Sequence, residues 1–287
     1  MVSRRKFLKT LAAGGAGYCL TWGSGRRLYA AIRGGTLDPT TIIKYAMPLV
    51  IPPAMPMTRT IVQPGQGPVD NYEIAVRQFR QQILPTNMPS TTVWSYGSVN
   101  HPGTFNYPAF TIEARFNRAV RVKWINDLKD ANGNFLPHLL PVDPTLHWAN
   151  PPDGAAGRDS RPTFTSTPGP YTGPVPIVTH LHGGHTSQES DGFAEAWYLP
   201  AANGIPADFA RVGTWYDVFK SIFLNETGVA WEPGTATFQY ANDQRAATLW
   251  YHDHTLGMTR LNVYAGPAGF YLLRLGPGDL PTGVLPG

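Results

Sequence analysis

Two short stretches carry the residue types that could do chemistry: Thr179-His180-Leu181-His182-Gly183-Gly184 and Trp250-Tyr251-His252-Asp253-His254. Each is a His-x-His pair inside a brief apolar run, with Ile177 and Val178 ahead of the first and Leu249 and Trp250 ahead of the second. A run that short, flanked by Gly and Pro, predicts a buried strand rather than a helix. Side chains at i and i+2 of a strand share a face. Each pair therefore aims two imidazoles one way and turns Leu181 or Asp253 the other. Four imidazoles converging from two neighbouring strands would make a metal site. Neutral imidazole suits copper, zinc, iron and nickel, so the ligand type leaves the metal open. A lone strand His is most often a satisfied core or surface residue. Two pairs are different: they hold four of the eight His of the chain, in apolar surroundings where an unpartnered imidazole is costly to bury.

The elements that must position these pairs read as short strands. Gly (30) and Pro (28) make up a fifth of the 287 residues, against an average of about 12%. Pro at that density excludes long helices and keeps strands short. Tyr72 to Leu84 and Val93 to Tyr96 alternate as strands. Phe110–Arg115 and Val120–Asn126 form the clearest strand pair, the second with apolar residues in and basic residues out. Thr248–His254 is the second His strand, and Val263–Leu275 closes the domain, with Gly266 and Gly269 marking a bend. Residues 33–68 are Pro-rich and extended. Residues 129–176 form a long Pro-, Gly- and Asp-rich excursion, in which His138 and His147 read as loop residues rather than ligands. Residues 200–237 form an insertion in which Phe209–Leu224 has helical apolar spacing. His185 reads as a surface residue.

The first residues are an address. Ser3-Arg4-Arg5-Lys6-Phe7-Leu8-Lys9 is a twin-arginine export pattern, followed by a weakly apolar run from Thr10 to Trp22 that is too short and Gly-rich to span a bilayer. We place a signal peptide at 1–31, with periplasmic or extracellular localisation and no membrane attachment after cleavage. Cys19, the one cysteine, falls in that leader. No disulfide and no Cys thiolate for a blue-copper centre then remain in the mature part. Six of the 23 bases also lie in the leader, leaving 17 against 19 acids. The net charge of +4 thus becomes −2, which offers no electrostatic case for nucleic acid or an anionic membrane.

With these residues on the page a family resemblance can be named. THLHGG with Ser190-Asp191-Gly192 downstream, and ANDQRAATLWYHDH followed by MTRLNVYAGPAGFYLLR, resemble the amino-terminal domain of multicopper oxidases, in the branch of spore-coat laccases and bilirubin-oxidase-like proteins. The resemblance is loose over Pro108–Leu128, good over Ile177–Leu199 and strongest over Phe238–Arg274. It implies an all-β fold, a cupredoxin-like Greek-key β-sandwich, over residues 32–275, with 276–287 a linker or the start of a second domain. It also implies copper in a trinuclear cluster that reduces dioxygen to water with four electrons taken from a small reducing substrate, phenolic or a metal ion. Position by position, His180 would bind the type 2 copper, His182 and His252 one type 3 copper, and His254 the other. Asp191 matches an acid that passes protons to reduced oxygen; it is also the first residue of an Asp-Gly turn pair. The family shows Pro-Gly-Pro where Tyr107-Pro108-Ala109 stands here, a departure that touches packing.

In the family a carboxy-terminal cupredoxin domain supplies the remaining His and the Cys-held type 1 copper. This sequence stops before such a domain. It reads as part of a longer oxidase, as half of a two-chain enzyme with a partner chain, or as a stand-alone exported copper-binding protein. A zinc hydrolase built on three of the four His is the alternative from another class, although no Glu adjoins either pair. The isolated domain is expected to expose an apolar face and to associate.

Overall fold

The structure is a computed structural model that describes residues 37–62, 67–163, 165–166 and 168–276. The twin-arginine leader and its cleavage site lie outside the described residues. The chain divides into two units between Lys44 and Tyr45. Of the first, residues 37–44 hold one 3-10 turn, Pro39–Thr41, whose Asp38 carboxylate accepts the Thr40 backbone N–H at 2.9 Å.

The second unit is all-β with few helices, built on two sheets. The strands are β1 (Arg59–Ile61), β2 (Val69–Gln81), β3 (Thr91–Ser98), β4 (Ala109–Arg115), β5 (Ala119–Asn126), β6 (Thr179–His182), β7 (Thr235–Tyr240), β8 (Ala247–Asp253) and β9 (Ala268–Arg274). The helices are α1 (Gly154–Gly157), α2 (Tyr216–Thr227) and α3 (Thr259–Ala265). In the larger sheet β2 pairs with β5 and β5 with β7, while β1 and β3 both pair with β2. β1 takes residues 69–71 of β2 and β3 takes residues 74–81. The smaller sheet runs β4-β9-β8-β6.

Aromatic rings hold the two sheets together. Trp124 from β5, Tyr96 from β3 and Tyr251 from β8 meet with centroids 5.0–5.4 Å apart. All three are buried. Rings of this size carry the largest apolar areas in a core and add edge-to-face attraction. Their polar tips are satisfied: Trp124 Nε1 donates to the Tyr240 hydroxyl at 3.2 Å and the Tyr251 hydroxyl to the Phe110 carbonyl at 2.6 Å. Asn126 closes the end of β5 by donating to the carbonyls of Val175 and Tyr198, which ties two loops to the sheet.

Four features differ from the sequence reading. β4 and β5 are not a pair: β4 joins β9 in parallel and β5 lies in the other sheet between β2 and β7. Local alternation identifies each strand but says nothing about its neighbour. Arg121 does not face solvent. Helix α2 covers that face, so the guanidinium lies 5.9 Å from the Phe223 ring and donates to Gln239 Oε1 at 2.9 and 2.6 Å. The inserted helix begins at Tyr216, leaving Phe209 and Val212 in the preceding loop. The segment 259–265 is helix α3 rather than strand, so the closing strand starts at Ala268.

Truncating a fully enclosed ring removes its transfer energy and leaves a cavity, which together cost about 3–5 kcal/mol. Trp124→Ala should lower unfolding free energy in urea by that amount. A loss under about 1 kcal/mol would mean the ring cluster does not join the sheets.

Candidate metal centre

The antiparallel register of β6 and β8 sets Thr179 opposite Asp253, His180 opposite His252, Leu181 opposite Tyr251 and His182 opposite Trp250. The two-residue period then does the rest. Leu181, Tyr251 and Asp253 turn inward and are buried. His180, His182 and His252 gather on the opposite face, and His254 joins them just past the end of β8. His180 lies 5.7 Å from His182, 5.6 Å from His252 and 4.7 Å from His254, centroid to centroid. His252 lies 5.4 Å from His182 and 6.0 Å from His254. The structure thus brings the four predicted rings together, on the outer face of the small sheet.

Backbone carbonyls fix three of the rings. His180 Nδ1–H donates to the Asp191 carbonyl at 2.5 Å, His252 Nδ1–H to its neighbour Asp253 at 2.7 Å and His254 Nδ1–H to Gly192 at 3.1 Å. A proton held at Nδ1 leaves Nε2 as a lone-pair donor, the usual way a protein sets the tautomer of a ligand. Two of the three carbonyls belong to the Asp191-Gly192 turn. Gly192 has φ +77°, and a Cβ there would run into the Thr179 carbonyl. Only glycine lets this turn lie against β6 closely enough to reach both rings. The sequence marked Gly192 as a turn residue; its place against the strand needed the structure.

His182 and His252 make the arrangement specific. Nδ1 of His182 faces Nε2 of His252 at 3.3 Å. His252 Nε2 is a lone pair, so a proton on His182 bridges the two. Two nitrogens each about 2.0–2.1 Å from one metal ion, in near-tetrahedral directions, stand about 3.3 Å apart. The pair therefore fits a metal ion in place of that proton. Among the described residues, no three His, Cys, Asp or Glu side chains come together to hold one ion. One pair of these donors, His182 and His252, stands at ligating distance.

Asp191 lies beside His180. Its carboxylate accepts the Thr186 hydroxyl at 2.5 Å and stands 3.6 Å from His180 Nδ1, whose proton goes to the nearer backbone carbonyl. His185 is on the surface, paired with Asp243 at 2.9 Å. His147 bonds the Asp159 carbonyl at 2.7 Å and takes no part in the cluster. His138 lies in a loop, as expected, and is part-buried against Trp94, with centroids 4.6 Å apart.

Burial favours the neutral form of three imidazoles, His252, His138 and His254. Desolvation holds His252 and His138 down to about 4, and lowers His254. A neutral ring is the form that ligates. Desolvation also pushes the Asp253 carboxyl up to about 7, against the hydrogen bonds it accepts.

These shifts set a pH window for the metal-free chain. Between pH 6.5 and 4 His252 and His138 bind protons in the unfolded chain and not in the folded one, and His254 is shifted in the same direction. Their contribution is fully present above the unfolded value of 6.5 and is lost as pH falls through about 4. Asp253 acts oppositely: raised from 3.8 to about 7, it favours the folded state at low pH and loses that contribution as pH rises through 7. Three groups against one decide the sign. The urea midpoint should fall from pH 6.5 to pH 4.5, and His138→Gln should flatten the slope. An unchanged slope in that variant would remove His138 from the balance.

No family model matches the chain. The chain is similar to the laccase of Bacillus stratosphericus, 35% identical over 202 residues, 70% of this chain and 28% of that protein. It is similar to the laccase of Bacillus subtilis (strain 168), 32% identical over 203 residues, 71% of this chain and 29% of that protein. The laccase of Haloferax volcanii aligns at 33% identity over 274 residues, 94% of this chain and 36% of that protein. The chain spans less than a third of the length of the two Bacillus relatives. Over the aligned residues, and with its all-β sandwich and its two adjacent His-x-His strands, the chain belongs to the multicopper oxidases.

Proposed function

We propose that this chain supplies one side of a trinuclear copper centre that reduces dioxygen to water, with four electrons drawn from a small phenolic or metal-ion donor. The observation that carries this reading is His182 Nδ1 facing His252 Nε2 at 3.3 Å across paired strands. Those two rings hold one type 3 copper, His254 contributes to the other, and His180 contributes to the type 2 copper. Copper bound here supplies the electron transfer to dioxygen. The remaining His ligands and the thiolate of the type 1 copper come from a carboxy-terminal cupredoxin domain or a partner chain.

The residues of the chain have separable tasks. The carbonyls of Asp191, Gly192 and Asp253 hold three Nδ1 protons, so the rings present Nε2 without reorganising. The Asp191 carboxylate, partly open to solvent beside His180, holds and releases the protons that water formation consumes; Thr186 orients it. A carboxylate within reach of both solvent and the reacting oxygen is suited to that transfer. The twin-arginine leader exports the protein to the periplasm or beyond. Among the described residues no helix is long and apolar enough to cross a membrane.

A catalytic zinc takes three protein ligands and a water. The similarity to laccases favours copper over that site. Electron-spin-resonance titration of the full chain with copper separates the cases. His182→Ala and His252→Ala should each abolish the same copper equivalent, and the double variant should lose no more, because both rings hold one ion. His180→Ala should remove a different equivalent. Additive losses from the first two variants would sink the shared-ion reading. Oxidation of a phenolic dye should appear once a carboxy-terminal cupredoxin half is added.

A further inference from the structure

Behind the four rings lies a buried polar chain that the functional reading does not use. Asp253, inward-facing between His252 and His254, accepts the backbone N–H of Val178 at 3.2 Å and of Thr255 at 3.0 Å, and the Thr255 hydroxyl at 3.0 Å. Its fourth donor is Asn262 Nδ2 on helix α3, at 2.9 Å. The same Nδ2 donates to the Pro176 carbonyl at 3.1 Å, and the Thr255 hydroxyl lies 3.2 Å from that carbonyl. Asn262 is fully enclosed, with no exposed surface. Its Oδ1 is taken by His138: Leu140 N–H donates to His138 Nδ1 at 2.8 Å, so Nε2–H donates to Asn262 Oδ1 at 3.0 Å.

This chain sits where ordinary strand pairing stops. The ladder between β6 and β8 covers His180, His182 and His252 but ends at Thr179 and Asp253. His254 lies beyond it, joined to the neighbouring segment by one backbone bond, His254 N–H to the Val178 carbonyl at 2.8 Å. Side chains take over the stitching: Asp253, Thr255 and Asn262 join 176–178 to 253–255 on both sides of that bond. Each side-chain amide and carboxylate of the set is partnered. Removing one member strands a buried donor or acceptor, at roughly 1–3 kcal/mol each.

We infer that Asn262 is the positioning residue for His254, and that His138 anchors the 129–176 excursion to it. The chain His138–Asn262–Asp253 fixes the turn that carries the one ring the strand ladder does not hold. It also gives the long excursion a structural task at the centre. The inference rests on the reading of His254 as a ligand, but the ring can be followed without metal.

The test is the histidine-ring nitrogen spectrum of the metal-free full chain. In the unsubstituted protein His254 should show one tautomer, protonated at Nδ1. Asn262→Leu should mix the His254 tautomers and leave His182 unchanged. His138→Leu should act in the same direction, and His138→Gln, which keeps a donor at the Nε2 position, should restore the single tautomer. A folded Asn262→Leu protein with an unaltered His254 signal overturns the inference. If that variant fails to fold, His138→Leu against His138→Gln decides it, and identical His254 spectra in those two overturn it. Copper binding is a second readout. Asn262→Leu should weaken affinity roughly ten- to a hundred-fold, and His254→Ala should add nothing further in that background. Fully additive losses would overturn the link to His254. Failure of the unsubstituted chain to take up copper would instead sink the proposed function, with the tautomer result standing on its own.

Discussion

The arrangement depends on the register between β6 and β8. A slip of one residue in either strand would exchange every inward and outward side chain. Tyr251 would leave its contacts with Trp124 and Tyr96, and the His252 imidazole would enter an aromatic interior with no partner waiting. That exchange loses the burial of a large ring and adds an unsatisfied polar one. The core therefore chooses the register, and the register presents the rings. Leu181 does for β6 what Tyr251 does for β8. The site is positioned from behind, by residues that touch no ligand.

Fixing the rings is a separate problem from aiming them. An imidazole on a correctly placed backbone still rotates and still has two tautomers. Here the proton of each of three rings is committed to a carbonyl, two of them on one turn that only glycine allows to lie so close. Desolvation lowers the proton affinity of His252 and His254 and so favours their neutral form. Such a site loses little entropy on binding an ion. His182 Nδ1 and His252 Nε2 face each other across a single proton.

The sequence was most legible where one residue type and one period determine the outcome. His at i and i+2 in an apolar run specifies a shared face, and the two pairs met as the spacing implied. The strands over 72–81 and 120–126 were legible for the same reason. What escaped was non-local. Nothing in Phe110–Arg115 says that its neighbour is β9, more than 150 residues on, rather than β5. Arg121 looked solvent-facing because the helix that covers it lies nearly a hundred residues downstream. His138 is a loop histidine, as its Pro- and Gly-rich segment implied, but its bond to Asn262 was not legible, because a long excursion folds back onto the core where it carries a partner for a buried group. Asn262 had no local signature: within helix α3 an Asn is a mediocre helix former, and its bonds to the buried Asp253 carboxylate and the Pro176 carbonyl explain its presence.

The outer face of the small sheet adds a last physical consequence. Trp250 stacks on His252 with centroids 4.0 Å apart and lies opposite Phe270 on β9. Both are exposed, as is Tyr264 on helix α3. A cavity of about 740 Å³ lined by Trp250, Val263, Tyr264 and His252 opens beside them. Aromatic surface around half-solvated donors is a poor arrangement in water: it costs hydration and leaves charge at the site screened. Were this face covered, water would leave and the effective dielectric around the rings would fall, strengthening the polar interactions there. Contacts that excluded water from this apolar surface would also raise the strength of the bonds they enclosed.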